Sequence, residues 1–220
     1  MKIGVLGTGT VGRTVGTKLV ELGHEVTIGS RTANNEQAAE WVDATGERAA
    51  QGTFADAAAF GEIVFNCTAG SASLEALGSV PGEALAGKIL VDVANPLDFS
   101  GGMPPTLSVA NDDSLGEQIQ RALPGTRVVK ALNTVNANVM VEPGRVPEDH
   151  DLFVCGNDEG AKAEVSELLE SFGWPRERIL DLGDITGARA MEMYLPLWLR
   201  LLRKLGTSEF NVRVLYRPSS

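Results

Sequence analysis

The chain has 220 residues, of which 43% are hydrophobic, and it carries a formal net charge of −10 with a sequence pI near 4.7. A chain of this size can bury one substantial core, or a large domain together with a small one. The acidic balance argues against nucleic acid or an anionic membrane as a partner, and no apolar stretch reaches the length of a membrane span.

Cysteine and histidine usage narrows the possible chemistry. Cys67 and Cys155 lie in apolar runs without metal-ligand spacing, so we expect free thiols in a reducing compartment, the cytoplasm. The two histidines, His24 and His150, leave little from which to build a zinc site or a histidine-based triad. We therefore expect no bound metal.

The chain opens with an apolar strand, a glycine turn and the start of a helix, in the sequence KIGVLGTGTVGR at residues 2–13. Gly7 permits the turn off the strand, Gly9 lets a pyrophosphate approach the backbone, and Gly12 lets the helix pack close to the sheet. The free N–H groups at the helix start then face the phosphates. A second strand follows about 20 residues later, so the pattern predicts a dinucleotide site rather than a purely structural turn.

The second strand, EVTIGSRT at residues 25–32, ends in Ser30, Arg31 and Thr32. Enzymes that use NAD usually have Asp or Glu at this tip, and such a carboxylate would repel a 2′-phosphate. A guanidinium between two hydroxyls can instead donate to phosphate oxygens. We therefore predict NADP(H) as the nucleotide, with Arg31, Arg13 and the helix N-terminus as its donors. The alternative is that Arg31 is a solvated loop charge.

Beyond this unit, apolar runs alternate with helical patterns. The expected helices cover residues 34–46, 54–60, 73–77 and 114–123, and the expected strands cover residues 47–52, 62–68, 88–94 and 126–132. Continuous apolar strands such as EIVFNCT and KILVDVA are typical of parallel strands that are buried on both faces. The alternation predicts an α/β fold with a Rossmann-type, doubly wound parallel sheet, whose ligands lie beyond the carboxyl ends of the strands.

Small and polar residues follow these strands and are expected to line one crevice. A flat ligand could lie against the backbone of residues 67–71, although Ser71 or Ser73 could instead cap the next helix. The neutral amides of Asn133 and Asn136 could fix a carboxamide or a ring edge, or could cap the helical turn that follows. The other candidates are Gly7, Thr8, Gly9, Thr10, Val11, Gly12, Ser30, Arg31, Thr32, Cys67, Thr68, Ala69, Gly70, Asn95 and Pro96.

Residues 98–113 are rich in Gly, Pro and Ser and lack periodicity, which indicates a lid, a binding loop or a disordered crossover. Residues 143–150 form a polar connector, so we expect a nucleotide-binding domain at residues 1–140 and a smaller C-terminal part at residues 141–220. That part is predicted to contain strands at 151–156, 179–182 and 210–216 and helices at 158–172 and 188–205.

The 188–205 helix is apolar on nearly all sides and contains Pro196. We expect it to be buried, kinked near Leu195, or shared with a second subunit, which favours a homodimer. Its Met191, Met193 and Trp198 are interpreted as core residues, although they could also wall a flat aromatic ligand.

Five motifs spread over nearly the whole chain carry a family resemblance: GTGTVG at Gly7, GSRT at Gly29, NPL after the fifth strand, KALNTVNA at Lys130, and GDITGARAMEMYLPLW from Gly183. Together they resemble the NADP oxidoreductases related to coenzyme F420-dependent NADP reductase, and also the reductase domain of the STEAP metalloreductases. The resemblance implies that the C-terminal part packs on the nucleotide domain and closes a cleft in which a deazaflavin or flavin stacks on the nicotinamide.

The same resemblance implies roles for individual positions. Thr8, Thr10 and Val11 would meet the pyrophosphate, and Ser30, Arg31 and Thr32 would meet the 2′-phosphate. The residues that would flank the nicotinamide are Ala94, Asn95, Pro96, Asn133 and Thr134. Some F420-using relatives have His at the position of Asn133, so the acceptor (F420, a flavin or another small molecule) stays open.

These features lead to the hypothesis of direct hydride transfer between the nicotinamide and a second redox cofactor or small substrate. Such a step needs close, water-free positioning and no protein nucleophile, which agrees with the few histidines and the lack of a Tyr-x-x-x-Lys pair. One alternative is a reductase of a carbonyl or imine, such as pyrroline-5-carboxylate reductase, but the strands expected after residue 151 count against its all-helical second domain. The other is a non-catalytic domain that senses NADPH.

Overall fold

Residues 1–217, the part of the chain that this computed structural model describes, are built around one sheet of eight strands. A separate hairpin of two short strands lies beside it. The strands are β1 (Lys2–Leu6), β2 (Glu25–Ser30), β3 (Ala49–Thr53), β4 (Ile63–Asn66), β5 (Ile89–Asp92), β6 (Leu97–Asp98), β7 (Thr106–Leu107), β8 (Arg127–Ala131), β9 (Leu152–Gly156) and β10 (Ile179–Asp181).

Residues 1–217 also form ten α-helices, of which the last two follow β10. They are α1 (Thr10–Glu21), α2 (Glu36–Thr45), α3 (Phe54–Phe60), α4 (Gly70–Gly78), α5 (Gly82–Leu85), α6 (Leu115–Ala122), α7 (Ala137–Val141), α8 (Glu159–Ser171), α9 (Ala188–Met193) and α10 (Leu195–Leu205). No helix within the described residues is long and apolar enough to cross a membrane.

The order of strands across the main sheet is β10-β9-β8-β5-β4-β1-β2-β3. Six neighbouring strands run parallel to one another: β8, β5, β4, β1, β2 and β3. β9 is antiparallel to β8, and β10 is parallel to β9. The chain moves outward from β1 to β3 and then returns to place β4 on the other side of β1. This reversal confirms the predicted doubly wound sheet and opens a crevice at the carboxyl ends of β1 and β4.

The sheet is covered on both faces, which explains why its central strands are continuously apolar. One buried cluster includes Val15 and Leu19 of α1, and a second includes Ala57 of α3 and Ile119 of α6. Alternate residues of a strand enter different clusters; Val5 belongs to the first and its neighbour Leu6 to the second.

The structure changes several predictions. The strand predicted at residues 210–216 is wrong, because the segment forms no strand: one backbone bond joins the Asp151 N–H to the Val212 carbonyl at 2.9 Å, and the Val214 N–H is taken by the Asp151 side chain instead. Most of the β6–β7 hairpin, which runs from Leu97 to Leu107, lies in the segment 98–113, which the sequence predicts to lack regular structure.

The apolar segment 188–205 is two helices rather than one. α9 ends at Met193 and α10 begins at Leu195, with Pro196 in its first turn, so the kink expected near Leu195 is confirmed. α10 is not the buried helix that the sequence suggested, since Leu195 is its one fully buried residue. An apolar face of α10 is therefore left partly open.

Candidate functional site

Two adjoining cavities lie along the carboxyl ends of β1, β2, β4, β5 and β8. The Arg31 cavity, of about 680 Å³, is lined by Gly7, Thr8, Gly9, Ser30, Arg31, Thr32, Asn35 and Phe54, among others. The Asn133 cavity, of about 490 Å³, is lined by Thr10, Val11, Gly70, Val93, Ala94, Asn95, Leu97, Phe99, Asn133, Met140, Leu195 and Trp198, among others. The two cavities share Cys67, Thr68 and Ala69, so together they form one cleft.

Most of the predicted site residues meet in this cleft, and three do not line it. Gly12 faces the turn instead, because a Cβ there would lie 2.0 Å from the Gly7 carbonyl oxygen. Pro96 and Thr134 are buried. Arg13, proposed as a phosphate donor, lines a different groove beside Lys18 on the outer side of α1.

The glycine turn leaves the start of α1 open toward the cleft. Gly7 has a φ of +116°, which favours glycine, and a Cβ there would lie 2.6 Å from the Cys67 carbonyl oxygen. Gly9 is the N-cap of α1 and offers no capping side chain. A Cβ at Gly9 would meet nothing within 4 Å among the described residues, so its place is open space. The first N–H groups of α1 are thus available to a ligand.

The tip of β2 presents Arg31 on an ordered turn. Ser30 is buried and its hydroxyl donates to the Thr32 carbonyl at 2.6 Å, which fixes the turn around Arg31. The exposed Arg31 guanidinium has no ion-pair partner among residues 1–217. Asn35 caps α2 through a 3.0 Å bond from the Ala38 N–H. The Arg31 cavity therefore offers a guanidinium without an ion-pair partner among residues 1–217, and Glu75 is the carboxylate among its lining residues.

Asn95 and Asn133 hold each other across the Asn133 cavity. The Asn95 amide donates to the Asn133 carbonyl at 2.9 Å, and the Asn133 amide donates to the Asn95 side chain at 2.9 Å and to the Met191 carbonyl at 3.1 Å. Both N–H groups of the Asn133 side chain are therefore used within the protein. Asn136 accepts from the Asn138 N–H at 2.9 Å and caps α7, which is the capping alternative.

The outer wall of the Asn133 cavity is apolar. Leu195 and Trp198 come from α10, and Leu97 and Phe99 come from the β6–β7 hairpin and its turn. The Trp198 ring stacks on Phe210, with centroids 5.3 Å apart and planes at 27°. Of the three α9–α10 residues considered for an aromatic wall, Trp198 lines this cavity, whereas Met191 is buried and Met193 is exposed.

A buried polar network beneath the cleft was not predicted from the sequence. Lys130 lies at its centre, fully buried, with Asp92 at 2.7 Å and Glu192 at 2.8 Å. Asn66 donates to Asp92 at 2.8 Å and accepts at 2.7 Å from the hydroxyl of Thr68, which lines the cleft. The signal was present in TRVVKAL and KILVDVA, because a charged residue inside a buried strand needs a buried partner.

With this geometry established, comparison with known proteins identifies the family. The family model described as NADP oxidoreductase, coenzyme F420-dependent, matches residues 2–96. The F420-dependent NADP reductase of Methanothermobacter marburgensis is 33% identical over 227 residues, covering 99% of this chain and 100% of that relative. The chain belongs to the family of F420-dependent NADP oxidoreductases. The resemblance predicted from the motifs is thereby confirmed.

Two further relatives of this F420-dependent NADP oxidoreductase family member show how far the similarity extends, one in structure and one in sequence. A crystal structure from Arthrobacter sp. FB24, described as a proposed F420-dependent NADP reductase, superimposes with a TM-score of 0.93 at 54% identity, covering 98% of this chain and 100% of that one. The metalloreductase STEAP3 of Rattus norvegicus is 31% identical over 201 residues, which cover 90% of this chain but 38% of STEAP3. The likeness to STEAP3 therefore concerns only part of that protein.

In this family member an ion pair joins α9, the helix that precedes the cleft-wall helix α10, to α6. Arg189 donates to both carboxylate oxygens of Glu117, at 2.5 and 2.8 Å. These hydrogen bonds hold the pKa of Glu117 below its usual value of 4.5, against the opposing effect of burial. A carboxyl whose pKa is lowered on folding stabilises the fold above its unfolded-state pKa and loses that contribution as the pH falls.

We predict that Glu117→Gln lowers the free energy of unfolding at pH 7 by about 1 to 3 kcal/mol, the typical cost of losing a hydrogen bond to a charged group. The difference from the wild type should shrink as the pH falls from 4.5 toward the lower pKa of the folded state, because the unfolded carboxyl is then protonated and folding has to release that proton. Urea unfolding at several pH values measures it.

Glu170→Gln is the matched control, because Glu170 pairs with Arg176 on the surface and both side chains are substantially exposed. Its effect should be close to zero at every pH. A Glu117→Gln deficit that stays constant down to pH 3 would contradict the assigned role of the Glu117 charge.

Proposed function

We propose that this chain is an NADP(H)-dependent oxidoreductase that transfers a hydride between the nicotinamide and a deazaflavin-type acceptor, coenzyme F420. The observation that carries the proposal is the continuity of the cleft: a cavity with an unpaired arginine opens, at Cys67 to Ala69, into a cavity with apolar walls. Family membership supports the same activity, because the Methanothermobacter relative that matches the whole chain is named an F420-dependent NADP reductase.

The described residues fit NADP(H) in donor chemistry and in space. The 2′-phosphate would lie against Arg31 between Ser30 and Thr32, where the guanidinium has no internal partner. The pyrophosphate would lie at the glycine turn, beside Gly9 and the uncapped start of α1. Because the chain is acidic overall, this local concentration of donors is what makes binding of a polyanion possible.

The nicotinamide would lie against Ala94, Asn95 and Asn133, with the acceptor ring between it and the apolar wall. The nicotinamide supplies the hydride when bound; the protein holds the two rings in contact and excludes water. We further propose the division into a nucleotide domain at residues 1–140 and a C-terminal part at residues 141–220, since Leu195 and Trp198 of the latter close the cavity.

The cavity lining distinguishes this proposal from the two alternatives. A carbonyl or imine reductase of the pyrroline-5-carboxylate reductase type usually needs a proton donor beside the substrate. Among the described residues lining the Asn133 cavity, Cys67 is the one titratable side chain, and burial raises its pKa far above the usual value. A non-catalytic NADPH-sensing domain is less well supported, because side chains do not fill the 490 Å³ acceptor space.

Arg31→Ala should abolish the preference for NADPH over NADH. Losing a charge-assisted phosphate contact should cost about 1.5 to 3 kcal/mol of NADPH binding and leave NADH binding nearly unchanged. Fluorescence titration of both nucleotides measures the ratio. Arg13→Ala is the control, because Arg13 lines the outer groove and its loss should leave the ratio intact. Equal affinity of the wild type for both nucleotides would overturn the NADP assignment.

The acceptor is tested by titrating the purified protein with NADPH in the presence of F420, FMN or FAD, in separate reactions followed by absorbance. We expect rapid reduction of F420 and slow or no reduction of the two flavins. Reduction of FMN or FAD but not F420 would change the acceptor to a flavin. Turnover of cyclic imines in the absence of all three would favour the imine reductase.

We also propose a cytoplasmic location, because the two cysteines are free thiols.

We further propose a homodimer formed through α10. Leu197 and Leu205 of α10 are 54% and 53% exposed, which is unusual for two leucines on one amphipathic helix. Sedimentation should give twice the 23.3 kDa chain mass, and Leu197→Lys with Leu205→Lys should give the monomer. Leu182→Lys, at a leucine that is 42% exposed elsewhere, is the control. A monomeric wild type at micromolar concentration would contradict the dimer.

A further inference from the structure

Lys130 is completely buried among groups that together hold its charge. Its ammonium contacts Asp92 at 2.7 Å and Glu192 at 2.8 Å, and it donates to the Ala94 carbonyl at 2.5 Å. Burial alone would lower the pKa of Lys130, but the two carboxylates outweigh burial and raise it above the usual value. Lys130 is therefore a permanent cation at neutral pH.

The Lys130–Asp92 pair hydrogen-bonds both the carbonyl and the N–H of Ala94, a residue that lines the cleft. Ala94 lines the Asn133 cavity; its carbonyl accepts from Lys130, and its N–H donates to the second oxygen of Asp92 at 3.2 Å. The peptide groups on both sides of Ala94 are thus held by charged partners. The next residue, Asn95, is hydrogen-bonded to Asn133. The segment Ala94–Asn95 is therefore held by the Lys130–Asp92 pair at one residue and by Asn133 at the next.

Glu192 connects the same cluster to the helix that precedes α10, whose Leu195 and Trp198 form the cleft wall. It belongs to α9 and accepts the Leu115 N–H at 2.8 Å and the Gly116 N–H at 3.0 Å, at the start of α6. The adjacent Met191 carbonyl receives the Asn133 amide. Lys130 therefore lies where the floor of the cleft, α6 and α9 meet.

Stability alone does not account for such a cluster. Taking three ions out of water costs about as much as their mutual attraction returns, and packed apolar residues in their place are often at least as stable. What an apolar replacement cannot supply is a directed hydrogen bond to the Ala94 carbonyl. The desolvation cost of burying these three ions is consistent with a role in positioning the Ala94 backbone.

We propose that Lys130 is a positioning residue: it fixes the Ala94 segment of the cleft floor against which the nicotinamide lies in hydride transfer. This inference rests on the proposed function. It assigns to Lys130 no contact with nucleotide or acceptor, and it predicts that loss of the ammonium disturbs the nicotinamide half of the nucleotide and leaves the adenosine half in place.

The test compares Lys130→Met with Lys162→Met. Lys162 is a matched control outside the cleft: it is 3% exposed, pairs with Asp181 at 2.7 Å and Glu159 at 2.8 Å, and donates to the Gly183 carbonyl at 3.2 Å. Both changes remove a buried ammonium and keep most of the apolar stem. Both should therefore lower resistance to urea, whereas only the change at Lys130 should alter the nicotinamide site.

For Lys130→Met we expect NADPH affinity to fall about tenfold, while affinity for 2′,5′-ADP, which lacks the nicotinamide, stays unchanged. With purified F420 as acceptor, turnover should fall about 100-fold, because a displacement of about 1 Å can cost that much in an oriented reaction. The isotope effect with 4-deuterated NADPH should rise, since hydride transfer becomes the slow step. Lys162→Met should match the wild type in all three measurements.

Equal losses of NADPH and 2′,5′-ADP affinity, or no loss of either, would overturn the role of Lys130. If Lys130→Met does not fold, the double variant Lys130→Met with Asp92→Asn is judged by the same criteria. It removes the Lys130 and Asp92 charges and leaves Glu192 with the Leu115 and Gly116 N–H groups, while the asparagine oxygen can still accept the Ala94 N–H. A wild type that binds NADPH but fails to reduce F420 would count against the proposed function, and the ratio of the two affinities would still test Lys130.

Discussion

The candidate site depends on one constraint: six strands of the main sheet run parallel to one another, namely β1, β2, β3, β4, β5 and β8. Because they run the same way, their carboxyl ends share one edge, and residues far apart in sequence meet there. The winding reverses between β1 and β4, so the loops after these strands diverge and leave a cleft. Within that cleft the Arg31 tip and the glycine turn line one cavity, and the Asn95–Asn133 clamp lines the cavity that adjoins it.

Charge is distributed unevenly around this path. An acidic chain repels a polyanion in general, so binding of a dinucleotide phosphate has to come from a few local donors. Arg31 is exposed and unpaired among the described residues, whereas Lys130 and Lys162 are buried and neutralised by carboxylates. Of these three side chains, Arg31 is available to a ligand, whereas Lys130 and Lys162 donate to backbone carbonyls and hold them in place.

Local patterns predicted those features that depend on local geometry. The glycine spacing after β1, the polar tip of β2 and the apolar runs of β4 and β5 each follow from neighbouring residues, and the structure contains these elements in the predicted order. The Asn95–Asn133 clamp and the Lys130–Asp92 pair each join residues 38 apart, so only the folded sheet brings them together. For the segment 210–216 the local pattern was misleading. It is typical of a strand, but the Val214 N–H donates to the side chain of Asp151 and not to a neighbouring strand.

The C-terminal segment links the wall of the cleft to the exterior of the subunit. α9 is fastened from beneath by Glu192 and from the side by Arg189, whereas α10, one residue further on, buries only Leu195 and leaves Leu197 open. Trp198 thus lies on the less secured helix while lining the Asn133 cavity and stacking on Phe210. A helix with little internal support and an open apolar face gains order when that face is covered. Covering α10 with a second subunit would therefore stabilise Trp198 in its place, and such an assembly would couple to the shape of the Asn133 cavity.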